Sequence, residues 1–273
     1  MLLQTFVPQS KELQRYVDVF YILKSVQPVT ITYVAFPHVN TAISFFKGVS
    51  ITRNDFNIMV TEDGKAENIC MEILGKYTRP VLVNFNGAFE EVAVIFKPLG
   101  ASRFIKKNLQ QLAPAYSQSF TDNTWAAFGE SLFKAANKIE RLESFLLTQL
   151  THHEEFTTIE KSLIYLKDTE NDYSITHIAN SLGMNLKTFQ RHFTKHMACS
   201  PAQYKRIARF RNALHSGIKE RELKSLTRIS YDNNYFDQSY FIKEFKKLTH
   251  LNPKKFFRQV SVVEDDKIVW EIK

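Results

Sequence analysis

Glycine and cysteine are scarce in this chain, and long apolar runs are missing. Eight glycines stand among 273 residues, where proteins usually carry about 7%. No G-x-G-x-x-G or G-x-x-x-x-G-K stretch occurs, which excludes a glycine-rich phosphate cradle. Cys70 and Cys199 are too few for a zinc cluster or a disulfide framework, and both are expected to be reduced structural thiols. The longest aliphatic-aromatic run is about five residues, Val92–Phe96, whereas a membrane-spanning helix needs roughly 20. Met1–Pro8 shows no basic region followed by a long apolar core, so no secretory signal is read and the cytoplasm is the expected compartment.

Histidine is also sparse where an enzyme site would need it. Residues 1–150 hold one histidine, His38, and one cysteine. A two- or three-histidine metal centre is therefore not available there, and a Ser-His-Asp arrangement would have to use His38. His38 is instead expected to line a turn. Glu90 and Glu91 are adjacent, and neighbouring strand residues point to opposite faces, so they do not converge as an acid pair. No catalytic residue, metal or cofactor is expected, although a β-rich interior can hold a small ligand. A sensor is favoured over an enzyme.

Basic charge is present, and it is localised. The net charge is +8, with 44% hydrophobic and 23% charged residues, a globular composition. Residues 1–150 carry 15 basic and 13 acidic side chains, residues 151–260 carry 19 and 11, and residues 261–273 carry 2 and 4. A basic module thus follows a near-neutral one. Such charge attracts polyanions, nucleic acid first and anionic membrane second.

The near-neutral half reads as strands and then helices. Val17–Leu23, Val29–Phe36, Thr41–Phe46, Asn57–Val60, Asn68–Leu74 and Glu91–Phe96 are rich in β-branched and aromatic residues. Ser25–Pro28, Pro37-His38, Lys47-Gly48, Glu62–Gly64 and Asn84–Gly87 read as turns between them. Short strands at this spacing predict an antiparallel barrel or sandwich. Phe104, Ile105, Leu109 and Leu112 then predict a helix stopped before Pro114. From Leu132 to Leu150 an apolar stripe has helical period; it serves a core or pairs with its copy in a dimer.

The basic module contains a repeat. Asn185, Phe189, Phe193, Ser200-Pro201 and Tyr204 recur 52 residues later as Asp237, Phe241, Phe245, Asn252-Pro253 and Phe256. Asn185 and Asp237 suit helix N-caps. Phenylalanines at i and i+4 make one face apolar. The other faces carry Lys187, Gln190, Arg191 and Lys195, or Gln238, Ser239, Lys243 and Lys246. A short helical pattern precedes each cap: Ile175, Ile178, Ala179 and Leu182 closed by Gly183, and Leu223, Leu226, Ile229 and Ser230 followed by Asn233–Tyr235. The second turn is one residue longer. Ile159, Leu163 and Leu166 form a leading helix, and Tyr204, Ile207, Ala208, Arg211 and Leu214 a helix joining the copies. Short helix, tight turn and capped helix with a polar outer face make a helix-turn-helix, here twice.

Residues 157–260 accordingly resemble the paired helix-turn-helix domain of AraC/XylS-type transcription regulators. The residues that carry the likeness are Ile178-Ala179, Leu182-Gly183, Phe189-x-Arg191-x-Phe193, Ser200-Pro201-x-x-Tyr204 and Arg209-Phe210-x-x-Ala213, with Tyr235–Phe241, Phe245 and Asn252-Pro253-x-x-Phe256 in the second copy. The N-terminal half is similar to the sensor domains of a subgroup, through Tyr16-Val17, Phe36-Pro37 and Phe96–Ala101. The chain departs from the family at Ala198, Asn234 and His250, where glycine is usual, and at Ser230, where alanine is usual.

The expected fold is a two-domain α+β protein. A β-rich barrel- or sandwich-like sensor domain with trailing helices spans 1–150, a linker 151–156, an all-α domain with two helix-turn-helix motifs 157–260, and an acidic, peripheral tail 261–273. The resemblance implies base contacts from Lys187, Gln190 and Arg191, and from Gln238, Ser239 and Lys243. It implies phosphate neighbours in Lys195, Lys205, Lys246, Lys247, Lys254 and Lys255. Expected partners are double-stranded DNA over two adjacent major-groove segments, a small-molecule effector, a second copy through helices within 124–150, and RNA polymerase if the output is activation; no membrane is expected. An enzyme or repair protein fused to this DNA-binding domain is the alternative, and it would need an activated thiol. His192 and His196 have zinc-ligand spacing at i, i+4, but the sequence offers no evident third ligand, so a solvated or DNA-facing pair is expected. His152-His153 carries no geometry.

Overall fold

The protein is described by a computed structural model that covers residues 1–65, 67–112, 116–152, 154–168, 171–219, 225–263 and 268–272. Pro114, His153, Leu223 and the acidic stretch 264–267, all singled out above, lie outside the described residues.

The N-terminal part contains β1 (Leu2–Phe6), β2 (Val17–Ala35), β3 (Thr41–Lys47), β4 (Val49–Asn54), β5 (Asn57–Glu62), β6 (Ile69–Leu74) and β7 (Val81–Phe96). Then come α1 (Leu109–Leu112), β8 (Ser117–Ser119), α2 (Asn123–Leu132) and α3 (Lys138–Gln149). The helical part contains α4 (Glu155–Lys167), α5 (Ile175–Ser181), α6 (Leu186–Met197), α7 (Pro201–Lys219), α8 (Leu226–Asp232), α9 (Gln238–Thr249) and α10 (Pro253–Gln259), followed by β9 (Ser261–Val263) and β10 (Ile268–Ile272).

The long antiparallel pair β2–β7 organises the sheet, from Val17 opposite Phe96 to Ala35 opposite Val81. The C-terminal half of β7 also pairs with β3, and its N-terminal half runs parallel to β5. Two stretches expected as turns lie inside these strands. Ser25–Pro28 is a register shift within β2, where the Ser25 hydroxyl donates to the Gln27 carbonyl at 2.8 Å. A bulge tolerates Pro28, which has no amide to give to the ladder. Asn84 and Asn86 accept hydrogen bonds from Thr32 and Thr30 across the sheet, and Phe85 between them is buried. Gly87, at φ 104, lies so close to Glu62 that a β-carbon there would stand 2.4 Å from the Glu62 Cβ. It marks a close approach of chains rather than a turn. Strand β4, not predicted, forms a hairpin with β5 around Asp55 and Phe56, both at positive φ. Two such residues suit the tight turn that matches strand twist.

One face of the sheet buries Phe20, Ile43, Phe45, Val92, Val94 and Phe96 against Trp125 and Phe128 of α2 and Leu142 and Leu146 of α3. The apolar stripe of residues 132–150 is thereby used largely within the chain, with Phe145 and Leu150 packed on the same core. A second core cluster of the β-rich part gathers around Tyr21, Tyr33, Val60, Phe85 and Phe89. The helix expected over 104–112 is reduced to a 3-10 turn, Gly100–Arg103, and the single turn α1. Phe104, Ile105 and Leu109 still reach the core.

The C-terminal segment is not peripheral. β10 pairs antiparallel with β2, placing Trp270 opposite Ala35 and Ile272 opposite Tyr33, and β9 pairs with β10. Its acidic composition suggested a solvated tail. The β-branched and aromatic residues Ile268, Val269, Trp270 and Ile272 instead supply strand propensity, and an open edge of β2 pairs with this segment.

Candidate nucleic-acid interface

Each half of the helical domain is built from local signals that agree. In the first, Ser174 caps α5 by accepting from the His177 amide, and Asn185 caps α6 by accepting from the Thr188 amide at 2.9 Å. Gly183 turns the chain between them at φ 68. In the second, Ser225 caps α8 and Asp237 caps α9 by accepting from the Tyr240 amide at 2.7 Å. The second turn is one residue longer and uses Asn234 at φ 53. Each cap satisfies an amide that the helix leaves without a partner.

The repeated aromatics are structurally equivalent. Phe189, Phe193 and Tyr204 are fully buried, with ring centroids 5.8 Å apart for both Phe189–Phe193 and Phe193–Tyr204. Phe241, Phe245 and Phe256 repeat the arrangement at 5.5 and 5.0 Å. Burying each such ring contributes about 1.5–3 kcal/mol and turns the opposite helix face outward. Ser230 is buried but satisfied, because its hydroxyl donates to the Thr227 carbonyl at 2.7 Å.

The three missing glycines have a clear outcome. Ala198, Asn234 and His250 all adopt left-handed backbone, at φ 53, 53 and 59. The chain keeps the glycine geometry and accepts the clash of each β-carbon.

Lys187, Gln190, Arg191 and Lys195 are exposed on α6, and Ser239, Lys243, Lys246 and Lys247 on α9. Gln238 is half-buried, and its side-chain oxygen accepts from Thr227 Oγ1 at 2.6 Å, bracing α9 against α8. Lys195 and Lys247 are held by acids, Lys195 Nζ at 3.0 Å from Glu155 and Lys247 Nζ at 2.9 Å from Glu244. Lys205 is half-buried and bonds Asp172 at 2.9 Å. Arg206 Nε meets Glu244 at 2.6 Å and ties α7 to α9. Burial pushes the Glu244 carboxyl up, but hydrogen bonds from Lys247 and Arg206 outweigh it and hold the group below its usual range. Helix α7, 19 residues long, spans about 28 Å between the motifs.

Tyr231, Phe236 and Tyr240 are exposed aromatics around the second motif; the sequence pattern included Phe236 and Tyr240 without assigning them to the surface. Phe236, 88% exposed, stands in the turn just before the Asp237 cap.

His38 lines a turn, accepting from the Asn40 amide at 3.0 Å. Burial pushes the thiols of Cys70 and Cys199 up to about 11, the opposite of an activated nucleophile. No helix among the described residues is long and apolar enough to cross a membrane.

This geometry defines a two-domain protein with a duplicated helix-turn-helix. Residues 178–259 match the family described as Helix-turn-helix domain, and residues 4–118 match a Domain of unknown function (DUF6597). The chain carries a helix-turn-helix domain joined to a β-rich N-terminal domain. No curated protein matches it. Among solved structures it is similar to ToxT from Vibrio cholerae O395, at 13% identity and a TM-score of 0.43, over 94% of this chain and 97% of that one. It is also similar to ToxT from Vibrio cholerae bound to an unsaturated fatty acid, at 12% identity and a TM-score of 0.41, over 86% and 96%.

Proposed function

We propose that the protein is a sequence-specific, DNA-binding transcription regulator that reads duplex DNA with α6 and α9 and answers a small-molecule signal through its β-rich domain. One observation carries the DNA reading: two capped helices with equivalent buried aromatics present polar, largely basic outer faces. Lys187, Gln190 and Arg191 are the base-reading set of α6. Arginine and lysine suit guanine O6/N7, and glutamine suits adenine N6/N7. Ser239 and Lys243 are their counterparts on α9, with Gln238 bracing the motif. Lys195, Lys246 and Lys247 are assigned to phosphates, where the carboxylates of Glu155 and Glu244 orient two of them. Phe236 joins this surface as an apolar contact for a thymine methyl.

Residues 1–150 serve as sensor, 151–156 as connection and 157–260 as reader. Buried polar groups of the β-rich domain support a sensor. Tyr21 donates to Glu91 Oε1 at 2.5 Å, while Glu91 Oε2 is buried without a hydrogen-bond partner. An effector with a polar group would satisfy that oxygen. Activation would bring RNA polymerase as a partner. A homodimer would use the outer faces of α2 and α3, where Leu147 is exposed.

The test uses the full chain. Operator sequences are selected from a random duplex library, and affinity is then compared on the selected and a scrambled duplex across a salt titration. The expected affinity ratio is about 10³ or more at physiological salt. Equal, steeply salt-dependent binding to both duplexes would leave a general polyanion binder.

A further inference from the structure

We infer that Glu155, His192 and His196 form a binding site for a divalent cation of the zinc class, pinning the first recognition helix to the helix that opens its domain. His192 and His196 lie on α6 at i, i+4, so their rings share one face, with centroids 5.0 Å apart. The third ligand comes from the first turn of α4, 37 residues earlier in the chain. The candidate ligand atoms of the three residues all lie within 4.8 Å of one another.

The nitrogens are positioned for coordination and poorly served without it. His196 is 5% exposed, and its Nε2 stands 3.3 Å from Glu155 Oε2 but outside hydrogen-bond geometry. His192 Nδ1 is likewise buried with no hydrogen-bond partner. A tetrahedral centre with bonds of about 2.0–2.1 Å sets its ligand atoms about 3.3 Å apart. The His196–Glu155 edge already has that length, and the other two edges are no longer than 4.8 Å.

The surroundings hold the site in place. Phe156 packs edge-on to the His196 ring at 5.2 Å, and the Ser102 hydroxyl donates to the His196 carbonyl at 2.9 Å. Lys195 Nζ reaches the same Glu155 oxygen at 3.0 Å, so the carboxylate already attracts a cation. The ammonium leaves His192 Nδ1 without a hydrogen-bond partner, whereas a metal ion would engage all three groups. Lys195 is exposed and on a flexible arm, so it can swing away. Two imidazoles and one carboxylate favour zinc, cobalt, nickel or copper over calcium or magnesium, and three protein ligands leave a fourth position for water.

The inference stands apart from the DNA reading and is tested without DNA. Untagged full-length protein, stripped with chelator, is titrated calorimetrically with zinc chloride. One equivalent is expected, with a Kd of about 10 µM or tighter. Glu155→Gln and His192→Ala, both away from the fully buried core, should each weaken binding at least 10-fold with folding checked by circular dichroism. Cobalt titrated into the wild type should give the visible absorption of a tetrahedral centre, and His192→Ala should abolish it. Absence of saturable zinc binding below about 100 µM, or undiminished binding in both variants, would overturn the site.

Discussion

His250 shows most plainly how one side chain bears a backbone that suits another. It ends α9 in left-handed conformation, at φ 59, and its side chain is exposed. The strain is about 1 kcal/mol. His250→Gly is expected to raise Tm by about 2–4 °C in a thermal melt. Ala198 ends α6 the same way, but its methyl packs against the core beneath the sheet. Ala198→Gly should therefore be close to neutral. Glu91 makes a second prediction at this scale. Burial pushes its carboxyl up to about 7, from an ordinary value of 4.5. The folded state keeps the proton longer than the unfolded one, so the associated stability is complete below pH 4.5 and lost as pH rises towards 7. Glu91→Gln should add on the order of 2 kcal/mol at pH 8 and almost nothing at pH 4, read by urea denaturation. The spacing of His192 and His196 was legible in the sequence, but Glu155 was not. Nothing local marks a carboxylate 37 positions away as their neighbour, because only the packing of α4 on α6 unites them.

At the scale of elements, the two reading helices and the two long strands differ in legibility. A cap, an apolar pair at i and i+4 and a turn residue all fall within about a dozen positions. The helices α5, α6, α8 and α9 could therefore be placed from sequence, and so could the longer second turn. β2 and β7 could not be read as continuous strands. Pro28 and the Asn84–Gly87 stretch are breaker chemistry that the sheet absorbs through a bulge, cross-strand threonine–asparagine bonds and a close approach of Gly87 to Glu62. Asn185→Ala removes the carboxamide that holds the Thr188 amide. It should destabilise the domain by about 1 kcal/mol, seen as a lower urea midpoint. Arg191→Ala should leave that midpoint unchanged and cost about 1–3 kcal/mol of binding to a selected operator, with little change on scrambled DNA. Equal losses on both duplexes would move Arg191 to the phosphate contacts.

Across the whole molecule, the two domains share their packing. Val39 and Leu99 of the β-rich part sit in the core of the first helix-turn-helix, while Val34 and Phe36 sit in the core of the second. Phe36 meets Phe256 with ring centroids 4.7 Å apart. Arg103 pairs with Glu160 and lies 4.4 Å over the Phe156 ring, and Thr151 is hydrogen-bonded to the Arg103 carbonyl at 2.8 Å. The expected linker is thus tied down, and α4 begins within it at Glu155. Truncation after Val260 removes β9 and β10 and uncovers the Tyr33–Ala35 edge of β2. The shortened chain should melt several degrees lower and aggregate faster by light scattering, because an unpaired strand edge templates association.

The position of β10 changes what kind of architecture this is. The helical unit leaves the sheet after α3 and returns to it at β10, so it is an insertion within the β-rich fold rather than an appendage at its end. A unit fastened at both ends cannot swing like a flag on a pole. Any distortion of the sheet at Tyr33–Ala35 reaches it through this covalent return as well as through the shared cores.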